Sequence, residues 1–336
     1  MSNRTVLVCG AVISALLASQ PASSQTWSPA RNAFGQPDLE GVWLSNTATP
    51  LERPKALEGR ASLTDAEVAE FKRRAARLFN EAGGGDFAVG DGIFQALLAN
   101  PERYTNPNAT HGAEGMSDLA FDNRTSLIVD RPDGRLPAVS AEGRRRQAAV
   151  AEAFRRPAAP ADIGNALRCV SWGVPRLGGR YGAGDLSYYQ IVQAPGHVVL
   201  YAETGHEARV IPLDDRPHID ARLSQWNGDS RGRWEGNTLV VETTRFSTKS
   251  YFMGATDGLS VVERFTRTAP NAMEYRITLA DPTIWASPWS AVMPLQQRDE
   301  TLYEFACHEG NFHIMRGMLD GSRLEQEAER AAATPR

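Results

Sequence analysis

From about residue 185 onward, apolar and polar side chains alternate with a period of two. The segment Met273 to Leu279 is the clearest case, with Met273, Tyr275, Ile277 and Leu279 on one side and Glu274, Arg276 and Thr278 on the other. Successive side chains of a strand point to opposite faces, so this pattern specifies half-buried strands rather than helices. Tyr188 to Gln193 and His197 to Glu203 flank Ala-Pro-Gly, a hairpin signal. Arg233-Trp234 and Thr238 to Thr244 flank a turn at Glu235-Gly236-Asn237, and Val261 to Arg267 is joined to Met273 to Leu279 by the loop 268–272. Trp289 to Gln297 and Thr301 to Cys307 continue the series. Consecutive strands with short connections predict an antiparallel meander, and curling into a barrel or a strongly curved sheet would remove its exposed edges.

The first half of the chain reads differently. Residues 25–60 are extended and Pro-rich, with Pro29, Pro37, Pro50 and Pro54. Thr64-x-x-Glu67 is a capping box, and Val68, Phe71, Ala75, Leu78 and Phe79 follow at helical spacing up to Gly83-Gly84-Gly85. A second helix is predicted over about 140–156 from Ser140, with Arg144 to Arg146 on a solvated face, and 157–164 reads as a surface loop. The polar, Ala/Glu-rich tail from about 321 predicts a short frayed helix. Gly41-Val42-Trp43, a G-x-W at the head of a β-rich region, is similar to the first strand of lipocalin-like barrels. The expected fold is mainly β, an antiparallel meander forming a lipocalin-like barrel or strongly curved sheet, with a few accessory helices in the N-terminal half.

Arg4, the apolar run 5–18 and the small residues after it have the layout of a secretory signal peptide, with cleavage expected near Ser24. Cys9 lies inside the apolar run with no lipobox before it, so a lipid anchor is not expected. The segments are then 1–24 signal peptide, 25–160 extended segment plus helices, 161–320 antiparallel β domain and 321–336 polar tail. No second long apolar run follows, so no membrane span is expected in the mature chain. Of the 3 cysteines, Cys169 and Cys307 remain after export. Two cysteines in an exported chain most simply form one disulfide; a metal pair or a catalytic thiol are the rivals, and no CxxC supports the metal. The net charge of -4 gives no basic field for nucleic acid. P-loop, GxGxxG, GxSxG and HExxH patterns are absent, which argues against a nucleotide enzyme, a common serine hydrolase or a zincin.

Seven segments together carry a family resemblance: PDLEGVW (37–43), TPLERP (49–54), RTSLIVDRPDGRLP (124–137), RPHI (216–219), GDSRGRWEGNTLVVETTRF (228–246), VVERFTR (261–267) and YEFACHEGN (303–311). The chain resembles, over nearly its whole mature length, an uncharacterised family of exported bacterial proteins. The resemblance implies export and a β-rich body, and it assigns no activity to any residue.

Three constellations can carry chemistry. In Gly205-His206-Glu207-Ala208-Arg209 extended geometry places Glu207 and Arg209 on one face and His206 on the other. Facing a lumen, that pair could orient a substrate; otherwise it is a structural ion pair. The segment Trp226 to Trp234 holds Asp229 and Arg231 in a polar, Gly-bearing loop ahead of a hairpin, either a site or a structured turn. Cys307-His308-Glu309 follows a predicted strand, where His308 could exchange protons or simply sit at the surface. His111 and His218 read as lone structural histidines. A metal held by His206, His308, Glu309 and Asp229 is disfavoured, because no two histidines show close ligand spacing; no metal or cofactor is expected. Tyr188, Tyr189, Trp226, Trp285 and Trp289 supply aromatic walls for a pocket or a core.

The first reading is a periplasmic or secreted enzyme of lyase, hydratase or isomerase type, acting on a lipophilic, possibly aromatic, small molecule. His206 or His308 would be the base, Glu207, Asp229 or Glu309 the acid or orienting group, and Arg209 and Arg231 would stabilise negative charge, against Trp226, Tyr188 and Trp289. The alternative is a non-catalytic, lipocalin-like carrier with the same pocket. A structural envelope protein is a third reading. The enzyme needs His and a carboxylate within hydrogen-bond reach inside the lumen; the carrier needs only an apolar one.

Overall fold

The computed structural model describes residues 27–78, 91–102, 120–175, 188–250, 252–255 and 257–333. The signal peptide with Arg4 and Cys9, the helix end at Phe79 and residues 83–85, and His111 lie outside them.

Among the described residues, nine strands form one antiparallel sheet: β1 (Gly41–Leu44), β2 (Tyr188–Ala194), β3 (His197–Ala202), β4 (Glu207–Pro212), β5 (Asp229–Glu235), β6 (Thr238–Thr244), β7 (Ser260–Ala269), β8 (Ala272–Ala280) and β9 (Trp289–Arg298). Their order is β4-β3-β2-β1-β9-β8-β7-β6-β5. Two meanders are thus joined through β1, which pairs Trp43 with Tyr189 of β2 on one side and with Gln297 of β9 on the other. The end strands β4 and β5 come together, so the sheet is a nearly closed barrel, as the alternating sequence predicts. At that seam a side chain on Gly232 of β5 would lie 2.7 Å from Leu213 and 2.8 Å from Ile211. Only a residue without Cβ lets the two strands approach this closely.

Register decides which residues enter the barrel. Val198 pairs with Ile211, Leu200 with Arg209 and Ala202 with Glu207; on the far side Glu263 pairs with Ile277 and Phe265 with Tyr275. Interior side chains are packed toward both ends of the long strands: Leu279, Trp289 and Ala291 toward one end of β8 and β9, and Met273 and Trp43 toward the other, all fully or almost fully buried. The Trp43 indole N–H donates to the Leu39 carbonyl at 2.9 Å, which ties the incoming chain to β1.

Four helices among the described residues lie outside the sheet. α1 (Asp65–Leu78) opens with the predicted capping box: Thr64 N–H donates to Glu67 at 2.8 Å and Glu67 N–H to the Thr64 hydroxyl at 3.2 Å. Its apolar face packs on α2 (Asp91–Ala99), with Phe71 edge-on to Phe94 at 5.2 Å, in a second, smaller core. α3 (Ala141–Arg155) is capped by the Ser140 hydroxyl, which accepts from Gly143 N–H at 2.8 Å.

The C-terminal part differs from expectation. Residues 301–307 form no strand, because the place beside β9 is already taken by β1. The last helix, α4, is no short stub from 321: it runs Asn311–Ala333. Its Ala, Glu, Arg and Met content favours helix, and Arg323 reaches Glu327 at 3.0 Å one turn on. Among the described residues no helix is long and apolar enough to cross a membrane.

Cys169 and Cys307 are disulfide-bonded, with Cα atoms 5.9 Å apart across 138 residues of sequence. On a chain-entropy basis a loop of that size contributes up to ~5 kcal/mol. The bond fastens the segment after α3 to the turn before α4.

If the seam depends on bare backbone at position 232, Gly232→Val will drive a side chain into Ile211 and Leu213 and cost about 1–3 kcal/mol. Urea unfolding reads this directly; an unchanged midpoint would contradict the close approach.

Candidate functional site

Part of the barrel interior is hollow. Inward residues of β2, β3, β4, β7, β8 and β9 surround a cavity of 60 Å3, roofed by Asn227, Gly173 and Val174. Its walls are mostly apolar: Ile191, Leu200, Ala202, Phe265 and Leu295. Phe265 and Tyr275 stack at 4.6 Å with 14° between their planes, giving a flat aromatic surface.

Against this apolar wall stands a buried charged group. Arg209 Nη1 lies 2.6 Å from Glu263 Oε2, with only 2% of the Glu263 side chain exposed. Arg209 Nη2 donates to Glu263 Oε1 at 2.9 Å, and the Tyr275 hydroxyl donates to the same oxygen at 2.5 Å. Burial opposes the charge of Arg209, but the Glu263 carboxylate outweighs it and raises the guanidinium pKa. Burial pushes the Tyr275 phenol well above its ordinary range, and the neighbouring Glu263 charge adds to the shift. The phenol is therefore a fixed neutral donor.

Glu207 holds the roof. Its Oε1 accepts from the Trp172 backbone N–H at 3.0 Å and from Asn227 Nδ2 at 3.3 Å. Ser171 donates to Asn227 at 2.6 Å. The Trp172 ring lies directly on Gly205, where any Cβ would overlap it. Beyond Gly173 and Val174 is a second cavity of 430 Å3, walled by α3, residues 161–166, Trp226 and Phe252.

The sequence-selected residues fall into separate places. Glu207 and Arg209 do share the lumen face, but Arg209 pairs with Glu263 across the barrel rather than with Glu207. His206 points outward at φ +51°. Its Nδ1 is 2.7 Å from the Tyr201 hydroxyl and its Nε2 accepts from Phe305 N–H at 2.8 Å, so it ties β4 to the segment before α4. Asp229 and Arg231 lie on the outer face of β5. Asp229 accepts from Arg231 at 2.8 Å, from His218 Nδ1 at 2.7 Å and from Ile219 N–H at 3.1 Å. Burial opposes the Asp229 charge, but these donors outweigh it and lower its pKa. The cluster pins residues 216–219 to the barrel wall, and His218 belongs to it. His308 and Glu309 are exposed in the turn before α4. The structure does not bring His206, Asp229 and His308 together, and no histidine lines the lumen among the described residues.

The aromatic candidates divide similarly. Tyr188 faces outward and donates to Glu300 at 3.0 Å, with burial first and that carboxylate second pushing its pKa up to about 12. Its neighbour Tyr189 is the one that enters the lumen. Trp289 is fully buried, edge-on to Trp285 at 5.7 Å, and belongs to the core. Trp226 borders the outer cavity. Among the described residues no cluster of three His, Cys, Asp or Glu side chains could hold a metal ion.

Glu263, Tyr275, Phe265 and Trp172 complete the site and were not singled out from sequence. Glu263 did carry a signal. In VVERFTR it occupies the same strand face as Val261 and Phe265, and a carboxylate on a buried face demands a partner.

No protein-family model matches the chain, and no curated protein matches it. Several solved structures are similar to part of it, among them the following two. One is a secretary abundant heat soluble (SAHS) protein from Ramazzottius varieornatus, with 8% identity and a TM-score of 0.23 over 33% of this chain and 70% of that one. The other is a point mutant of the fluorescent protein UnaG, with 13% identity and a TM-score of 0.23 over 41% of this chain and 88% of that one. Likenesses this slight say nothing about function.

The buried phenol gives the site a pH signature. The unfolded chain releases the Tyr275 proton near its ordinary pKa of 10, whereas the folded chain holds it to higher pH. The stability contributed is complete below pH 10 and is lost as pH rises toward the folded value. Urea melts from about pH 8 to about pH 11 should show stability falling above pH 10, and Tyr275→Phe should flatten that fall. An identical pH slope in the variant would contradict a buried, neutral Tyr275.

Proposed function

We propose that the protein is an exported binding protein that holds a small lipophilic molecule in the barrel lumen without transforming it. The observation that carries this reading is the lumen itself: mostly apolar and aromatic walls whose few charged groups, the Arg209–Glu263 pair and Glu207, are each held by protein partners. Mostly apolar cavities with a few convergent polar groups are the usual form of a small-molecule binding site, which supports this reading. The lyase, hydratase or isomerase reading requires an imidazole and a carboxylate within reach of a bound substrate. Its histidines, His206 and His308, lie outside the lumen, which leaves that reading without support. The Cys169–Cys307 disulfide supports an oxidising compartment, periplasmic or secreted.

A ligand larger than the 60 Å3 lumen must displace the roof at Gly173 and Val174 and run into the 430 Å3 cavity behind it. Ala202 faces the lumen from β3 and tests this. The neutral fluorescent probe N-phenyl-1-naphthylamine should bind the wild-type protein and brighten on transfer from water. Ala202→Leu, which places three more carbons in the lumen, should weaken that binding more than ~10-fold, a loss of about 1.4 kcal/mol, with the unfolding midpoint held. Equal affinity in the variant would remove the lumen as the binding site.

A further inference from the structure

We infer that the ligand is a single-headed anionic amphiphile, with its carboxylate or sulfonate in the outer cavity beside Lys249 and its apolar end through the roof in the lumen. The inference rests on the binding reading above and adds the ligand's charge and its direction.

Size and lining come first. The outer cavity holds 430 Å3 against 60 Å3 for the lumen. Small-molecule sites usually measure ~300–1,000 Å3, so the body of a ligand fits the outer chamber and only a narrow end fits the lumen. The two chambers meet at Gly173 and Val174, which line both. Much of the outer wall is apolar, with Ile163, Phe246, Phe252 and Leu259 almost fully buried. Its segments are tied to one another. Gln147 Nε2 of α3 donates to the Met253 carbonyl at 2.7 Å, and Asn165 Nδ2 donates to the Lys249 carbonyl at 2.9 Å.

Charge then sets the direction. The charged residues lining the lumen are Glu207, Arg209 and Glu263, two negative and one positive. Arg209 is already taken by Glu263 at 2.6 Å, and Glu207 stands in the roof, where it holds the Trp172 backbone N–H at 3.0 Å. An anionic head brought through the roof would pass Glu207 and meet a net negative lumen. It would lose its hydration there without gaining a cation. The anionic end therefore stays outside and the apolar end goes in.

The outer cavity has the opposite balance. Its charged lining residues are Arg146, Lys249 and Asp162, two positive and one negative. Asp162 is committed to the Ala158 and Ala159 backbone N–H groups at 2.9 and 2.8 Å, and Arg146 pairs with Glu142 at 3.0 Å. Lys249 is held through its backbone, its N–H donating to Ser247 Oγ at 3.2 Å and its carbonyl accepting from Asn165. Among the described residues no carboxylate pairs with its ammonium, which leaves that charge for a ligand. The Thr248 hydroxyl, on the same wall, offers a neighbouring donor. One path thus runs from a net positive chamber to a net negative one, and an anionic amphiphile fits it in one direction only.

The test compares two probes on one ring framework, N-phenyl-1-naphthylamine and its sulfonated form 1-anilinonaphthalene-8-sulfonate, titrated by fluorescence at neutral pH into the full-length exported protein. The wild-type protein should bind the sulfonated probe at least as tightly as the neutral one. Lys249→Glu should weaken the sulfonated probe ~10-fold and move the neutral one by less than ~2-fold. Lys249→Met, which only removes the charge, repeats the comparison with a smaller expected loss of ~3-fold. Lys72→Glu reverses the charge of an exposed lysine on α1 that lines neither cavity, and should change neither affinity. Ala202→Leu should weaken both probes, because both send an apolar end into the lumen. Four results would each overturn the inference and leave the binding reading standing: a sulfonated probe that fails to bind where the neutral one does, an unchanged ratio of the two affinities in the Lys249 variants, an equal loss in Lys72→Glu, or a sulfonated probe indifferent to Ala202→Leu while the neutral one weakens. Failure of both probes to bind would overturn both readings.

Discussion

The interaction on which the interior depends is the buried pair between Arg209 and Glu263. Arg209 belongs to β4, at one end of the sheet; Glu263 belongs to β7, and across the seam β5 and β6 stand between them. The pair therefore joins two strands that share no ladder, over the one place where the barrel is not hydrogen-bonded shut. Tyr275 extends the tie to β8. A buried ion pair is a poor source of net stability compared with well-packed apolar side chains, because desolvation consumes most of the attraction. Its effect here is positional: a charge in a lumen cannot be left alone, so the two strands must bring it a partner.

That requirement divides the interior. Around Trp43, Trp285 and Trp289 the interior is completely packed. Beside the charged pair a small cavity remains. Its roof is held by polar contacts from Glu207 to the backbone of Trp172 and to Asn227, and the segment bearing Trp172 begins at the disulfide. Such a roof is fixed through a few hydrogen bonds rather than through a large apolar interface. Segments secured in that way open at lower free energy than the packed core around them. Access to the lumen and rigidity of the barrel are thus assigned to different parts of the chain.

Much of the fold was legible because strand alternation is a local signal. Met273, Tyr275, Ile277 and Leu279 point inward as the sequence specifies, and the capping box at Thr64 and the cap at Ser140 begin helices where expected. The disulfide was legible from cysteine count. What failed was information that only the closed sheet holds. The segment 301–307 alternates like a strand, but β1, from more than 250 residues earlier, occupies the ladder it would join. The site was half legible: the shared face of Glu207 and Arg209 follows from spacing, but the partner of Arg209 comes from a strand 54 residues away. One residue of register exchanged Tyr188 for Tyr189. His206 and Asp229 were chosen for chemistry and prove to be fasteners, one for the segment before α4 and one for residues 216–219.

The most direct measurement of this account is a double-mutant cycle on the buried pair, using Arg209→Met and Glu263→Leu with urea unfolding as the readout. If the two charges hold each other in the lumen, each single substitution strands a buried charge and costs about 3–5 kcal/mol. The double variant, with an apolar pair of similar bulk, should then recover most of that loss. Losses that simply add in the double variant would show that Arg209 and Glu263 do not depend on each other, and the account of the lumen would fail with them.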